Sequence, residues 1–179
     1  MNKDSIKKYL TERSVTHIFW AVGFLVLAVL TFSKDLWFVA VLFFLGSLYN
    51  FKRPSKIQKN VDTLFKKYED AGRMDDVVKD FEDGIYTDNQ NLCVGDHMIF
   101  SRRLHTIFDY DEVEKFYLCE EEEESDGTTT TYLCLYLQQK TGSKYPLIRL
   151  SKSGENQDAM NMACEKIKIK WPSARFDRC

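Results

Sequence analysis

The chain has 179 residues, 44% of them hydrophobic, and a formal net charge of −2. Residues 1–51 carry five Lys/Arg and three Asp/Glu, leaving twenty and twenty-four for the rest, so the two parts stand at +2 and −4. Apolar runs crowd the first part, which excludes a simple globule, a disordered chain and a strongly basic nucleic-acid binder.

The first predicted elements are two apolar helices. From Ser14 to Ser33 there is no Asp, Glu, Lys or Arg, and a second run, LWFVAVLFFLGSLYNF, extends from Leu36 to Phe51. Leu, Ile, Val and Phe dominate both, and a biological insertion scale gives about −3 to −6 kcal/mol for each. The expectation is an N-terminal transmembrane helical hairpin over residues 1–53, with spans about 15–33 and 36–51. Ser33, Lys34 and Asp35 form its turn. Lys3, Lys7, Lys8 and Arg13 precede the first run, and Lys52, Arg53, Lys56 and Lys59 follow the second. By the positive-inside rule both termini are then cytoplasmic, in a two-span protein of the plasma membrane. A cleaved signal peptide is rejected, because no small-x-small site precedes the second run.

Residues 54–84 are predicted as a helical connector. Ser55 and Gln58 have capping-box spacing, Ile57, Val61, Leu64, Phe65 and Tyr68 trace one face, and Gly72 is a stop. A shorter segment from Asp75 to Phe81 follows, with Val77, Val78 and Phe81 as its apolar residues.

After residue 91 the period changes to alternation. Strands are predicted at Leu92–Val94, Met98–Ser101, Thr106–Phe108, Val113–Glu121, Thr130–Gln139 and Tyr145–Leu150, with turns at Asp126-Gly127 and Thr141-Gly142-Ser143. A final amphipathic helix has Ser153 as its cap, Met160, Ala163, Cys164, Ile167 and Trp171 as its stripe, and Pro172 as its end. Residues 85–179 therefore read as an α+β, pleckstrin-homology-like (PH-like) domain: an antiparallel sheet followed by one helix.

The runs LCVGDHMIFSRR, IFDYDEVEKFYL and TYLCLYLQQKTGSKYPLIRL, with a helix ending KWPSARFD, resemble a group of uncharacterised small bacterial membrane proteins. Those proteins pair a two-helix anchor with a cytoplasmic PH-like domain. The resemblance implies a cytosolic domain on a membrane tether and transfers no functional residues.

Candidate sites are few. Glu120, Glu121, Glu122, Glu123, Glu124 and Asp126 place six acids in seven residues. Alternation in a strand keeps them from converging on one ion, so they read as a solvated strand end or a docking point for a basic partner. Arg102 and Arg103 sit in a turn and are a candidate headgroup site. His97 and His105, near Asp96 and Asp109, do not mark a nucleophile–base–orienter set, and no phosphate loop or metalloprotease motif occurs. Cys93, Cys119, Cys134, Cys164 and Cys179 show no metal or disulfide spacing and are expected to be reduced, with Cys179 the reactive one.

The expected function is a membrane-tethered, non-catalytic interaction or scaffold module, with no cofactor or metal and no nucleic-acid partner. Its partners would be the lipid bilayer and a protein. A lipid or small-ligand sensor at the inner leaflet, or a membrane immunity protein against a toxin, are the alternatives.

Overall fold

A computed structural model describes residues 3–12, 14–34, 36–87 and 91–179, with backbone only for 14–16. The chain divides into two compact units, one ending at Gly72 and the other beginning at Arg73.

The first unit is helical: α1 (Lys3–Thr11), α2 (Ser14–Phe32) and α3 (Trp37–Asp70). The helix α1 has period-correct apolar residues at Ile6 and Leu10, which are buried. Along the second half of α3, Ile57, Val61, Phe65 and Tyr68 are buried at the same helical spacing. Lys7 pairs with Asp62 at 2.5 Å, and Lys3 pairs with Glu69. The helices α2 and α3 pack along a seam of small residues. Ala21, Ala28, Ala40 and Ser47 are buried there, and the Ser47 hydroxyl donates to the Ala21 carbonyl at 2.9 Å. Large side chains such as Phe19, Phe38 and Leu42 are exposed.

This corrects the reading of the first 53 residues. Among the described residues no helix is long and apolar enough to cross a membrane. The apolar stretch of α3, Trp37 to Phe51, is about 23 Å long at 1.5 Å per residue, and a hydrocarbon slab is about 30 Å thick. Lys52 and Arg53 then follow in the same unbroken helix, which continues through Pro54. The helix α2 spans Ser14–Phe32, 19 residues or about 28 Å at the same rise, also under that thickness. A span from runs this short depends on flanking residues snorkelling to cover the deficit. The transmembrane hairpin, its spans at 15–33 and 36–51, the two-span plasma-membrane location and the placement of both termini inside are accordingly set aside. Arg13 and Asp35, which figured in the expected flank and turn, lie outside the described residues.

The second unit is α+β. It opens with α4 (Met74–Glu82) and a sheet in the order β1-β2-β3-β4, made of Ile85–Thr87, Leu92–Val94, Met98–Ser101 and Thr106–Asp109. A 3-10 turn at Tyr110–Glu112 leads to a second sheet. Its strands are β5 (Val113–Ser125), β6 (Thr128–Gln139), β7 (Lys144–Ser151) and, after helix α5 (Gly154–Lys170), β8 (Phe176–Arg178). The order is β7-β6-β5-β8, antiparallel except that β8 runs parallel to β5. Asp126 and Gly127, at φ 51° and 74°, close the β5–β6 hairpin. Positive φ at both central residues matches the twist of the flanking strands.

Alternation decides what each face of the second sheet does. Phe116, Leu133, Leu135 and Leu137 point into a core shared with Leu92, Ile99, Met160 and Ile167. The Ser153 hydroxyl accepts from the Asn156 N–H and starts α5, whose buried stripe is Met160, Ala163 and Ile167. Tyr110 stacks on Trp171 with centroids 4.3 Å apart, and Trp171 meets Phe116 edge-on at 5.8 Å.

The helix α4 is stitched to the first sheet by one carboxylate. Asp80 is 5% exposed. It accepts the backbone N–H groups of Asp96 (2.7 Å), His97 (3.0 Å) and Met98 (2.8 Å). Burial raises its carboxyl above the ordinary range, and the three N–H donors pull the other way. The close approach is possible because residue 95 is glycine: a Cβ there would lie 2.0 Å from the Asp80 carboxylate. Gly95→Ala should therefore cost about 1–3 kcal/mol through overpacking and displacement of the carboxylate. Chemical denaturation of the full chain measures it, and a shift below a few tenths of a kcal/mol would mean the turn does not depend on this contact.

Candidate functional site on the second sheet

The residues of β5 and β6 that do not face the core define the outer face of the second sheet. In register, Tyr117 opposes Tyr136, Cys119 opposes Cys134, and Glu121 opposes Tyr132. On the far side of β6, Arg149 opposes Cys134. Three tyrosines thus stand together, each bracketed by charge. The Arg149 guanidinium lies 3.9 Å from the Tyr132 ring centroid, and Lys144 and Lys115 lie 4.5 and 4.7 Å from that of Tyr117.

Glu121 is the hub of this face. The Tyr136 hydroxyl donates to it at 2.5 Å and the Cys134 thiol at 3.3 Å. These two hydrogen bonds, Tyr136 first, hold the Glu121 carboxyl below its ordinary range. The same contact pushes the Tyr136 phenol up to about 12. Burial, then Glu121, pushes the Cys134 thiol up to about 11. A carboxyl lowered on folding contributes stability above its ordinary range and loses it as pH falls through the folded value.

The six acids predicted as a docking point are divided by the strand. Glu120, Glu122 and Glu124 continue the core-facing side of β5 beyond the core, and Glu121 and Glu123 lie on the outer face. Arg149 bonds Glu123 at 2.7 Å and approaches Glu121 at 3.7 Å; Lys152 bonds Glu120 at 2.6 Å. Glu122, Glu124 and Asp126 make no ion pair among the described residues and stand exposed at the hairpin end.

This end also carries an open strand edge. The strand β8 pairs with β5 only at Phe116, Tyr117 and Leu118, with one further bond from the Cys179 N–H to the Leu118 carbonyl at 3.1 Å. From Glu120 to Ser125, the side of β5 turned away from β6 has no strand against it among the described residues.

Arg102 and Arg103 lie in the turn between β3 and β4, in the first sheet, where the Arg102 N–H donates to the Asn91 carbonyl at 2.9 Å. Both are half-buried. His105 holds a positive φ of 55° in that same turn. His97 lies elsewhere, beside Asp80, in a hollow of about 350 Å³ that Arg73, Asp76, Lys79 and Asp96 also line. Lys170 pairs with Asp96 at 3.0 Å and Arg73 with Asp109 at 2.8 Å, so the hollow's charges are partly matched. Among the described residues no group of three His, Cys, Asp or Glu is placed to hold a metal ion.

One cysteine reading is overturned. Cys119 and Cys179 form a disulfide with Cα atoms 5.1 Å apart, and Cys93, Cys134 and Cys164 are free. The expectation of five reduced thiols rested on spacing, and the two partners are 60 residues apart in sequence. They meet only because β8 returns to the edge of β5 after α5. Sequence reasoning missed β8, and with it the pair.

No family model, no curated protein and no solved structure matches this chain. None of these comparisons supports the resemblance to small bacterial membrane proteins with a PH-like domain.

The Tyr136–Glu121 contact can be read directly. Replacing Glu121 with Gln removes the carboxylate that opposes ionisation, so the Tyr136 phenol should titrate closer to 10 than to 12. Ultraviolet difference titration of the full chain checks this. A Tyr136 titration indifferent to the change would show that the pair is not formed.

Proposed function

We propose that the chain is a non-catalytic interaction module whose β5–β6 hairpin receives an extended, lysine- or arginine-rich segment of a protein partner. The observation that carries this reading is the conjunction at one hairpin end of unpaired acids and an unpaired strand edge. Glu122, Glu124 and Asp126 are exposed and free of ion pairs among the described residues, and the β5 backbone from Glu120 to Ser125 lies open beside them. An open edge offers main-chain hydrogen bonds to any added strand, so it supplies affinity without selectivity. The glutamates supply the selectivity: they repel a second acidic edge and favour a basic one. Tyrosines with charged neighbours on the adjoining outer face suit a contact that is part apolar and part polar.

The three acids can be neutralised with little harm to the fold. Asn is well tolerated at the positive φ of Asp126, and Gln keeps the size of Glu. In the full chain carrying Glu122→Gln, Glu124→Gln and Asp126→Asn, association with a lysine-rich extended peptide should slow roughly tenfold at low salt. Its salt dependence should flatten, while thermal stability stays unchanged. Stopped-flow association at low and high salt is the measurement. Equal rates for the two chains at both salts would leave the acids as a solvated strand end and nothing more.

A further inference from the structure

We propose that the Cys119–Cys179 disulfide is a reversible two-electron redox site that latches the outer part of β8 onto β5. This goes beyond the docking reading and does not depend on it. Four observations lead to it.

The strand β8 is three residues long, and among the described residues only one strand, β5, pairs with it. Such a strand has few bonds of its own to resist fraying. Its two ends are held differently. At the start, the Phe116 N–H donates to the Arg175 carbonyl at 2.8 Å, and Phe176 stacks on Phe116 with centroids 5.0 Å apart. Phe176 also packs against the main core. At the end, Arg178 and Cys179 are exposed, and the Cys179 N–H bond to Leu118 stands next to the disulfide. The register Leu118↔Arg178 places Cys119 and Cys179 one step further along, directly opposite. The Lys115–Asp177 pair at 2.7 Å marks the midpoint.

Accessibility is divided in the same way. Cys179 is exposed and Cys119 is half-buried. The thiolate of a dithiol reductant can attack the Cys179 sulfur, forming a mixed disulfide while Cys119 leaves as a thiolate and takes up a proton. The reductant's second thiol then attacks its own disulfide-bound sulfur and releases Cys179. Two electrons pass from the dithiol, which becomes a disulfide, and the protein holds two thiols. With the covalent tie gone, Arg178 and Cys179 lift from β5, and Phe176 keeps the start of the strand docked. The open edge of β5 then begins at Leu118 instead of Glu120.

Amide hydrogen exchange of the full chain, oxidised and then reduced with dithiothreitol, tests this at single residues. Exchange at the Cys179 N–H should accelerate about tenfold or more on reduction and return on reoxidation, with the Phe116 N–H changing less than about threefold. The Cys119→Ser variant should match the reduced chain without any reductant. The proposal fails if thiol counting finds five free cysteines after mild oxidation. It fails if Cys179 exchanges equally in both states. It also fails if Phe116 and the core residue Ile148 accelerate together with Cys179, because the bond would then hold up the fold instead of latching one strand.

Discussion

The second unit depends on a buried carboxylate that takes the place of missing backbone partners. In the turn between β2 and β3 the Gly95 N–H reaches the Met98 carbonyl at 2.9 Å, and the next three N–H groups, of Asp96, His97 and Met98, donate to Asp80 of α4. Leaving a buried donor such as the Met98 N–H without its partner costs about 1–3 kcal/mol, against roughly 0.5–1.5 kcal/mol for a typical hydrogen bond. The contact also fixes what comes next in space. Tyr110 donates its hydroxyl to the Gly95 carbonyl at 2.7 Å, in the turn that Asp80 holds. Tyr110 stacks on Trp171, Trp171 meets Phe116, and Phe116 stacks on Phe176 of β8. One polar anchor and a relay of four rings therefore set where the second sheet meets α5 and where β8 returns.

That frame explains why the outer part of the β5–β6 hairpin is available for contact. Core packing ends near Leu118 and Leu133, yet the strands continue to Ser125 and Thr128. Two strands extending past their core gain little from burial, so polar residues occupy the extension at small cost. Half of its acids are matched by Arg149 and Lys152, and this tempers the mutual repulsion of five consecutive glutamates. The unmatched ones gather at the end where β8 no longer covers β5. Charge and open backbone thus coincide, and this coincidence underlies the docking reading.

Much of the second unit was legible in the sequence. The strands β2 and β3 fall on the predicted residues, because continuous apolar runs bounded by turn residues leave little choice. The hairpin turn at Asp126-Gly127, the cap at Ser153 and the stripe of α5 follow from local chemistry that tertiary structure does not override. Three things were illegible. The strands β1 and β8 are three residues each and, unlike the equally short β2, include polar residues, so neither a period nor an apolar run marks them. The disulfide joins residues distant in sequence, so no spacing announces it. Asp80 lies among charged residues of an amphipathic helix, and only its burial distinguishes it from Asp75 or Asp76. The first unit shows the opposite failure. Its two apolar runs were conspicuous and slightly short of a bilayer's thickness, and the allowance that snorkelling flanks cover the deficit fails, since no described helix is long and apolar enough to cross a membrane.

The central claim is that a basic extended segment recognises the hairpin end, and residue-resolved chemical-shift mapping of the full chain with a lysine-rich peptide tests it most directly. The account predicts perturbations concentrated at Glu122, Glu124, Asp126 and the open β5 backbone, diminishing as salt is added. Perturbations centred on the Asp80 hollow or on Arg102 and Arg103, or none at all, would contradict it.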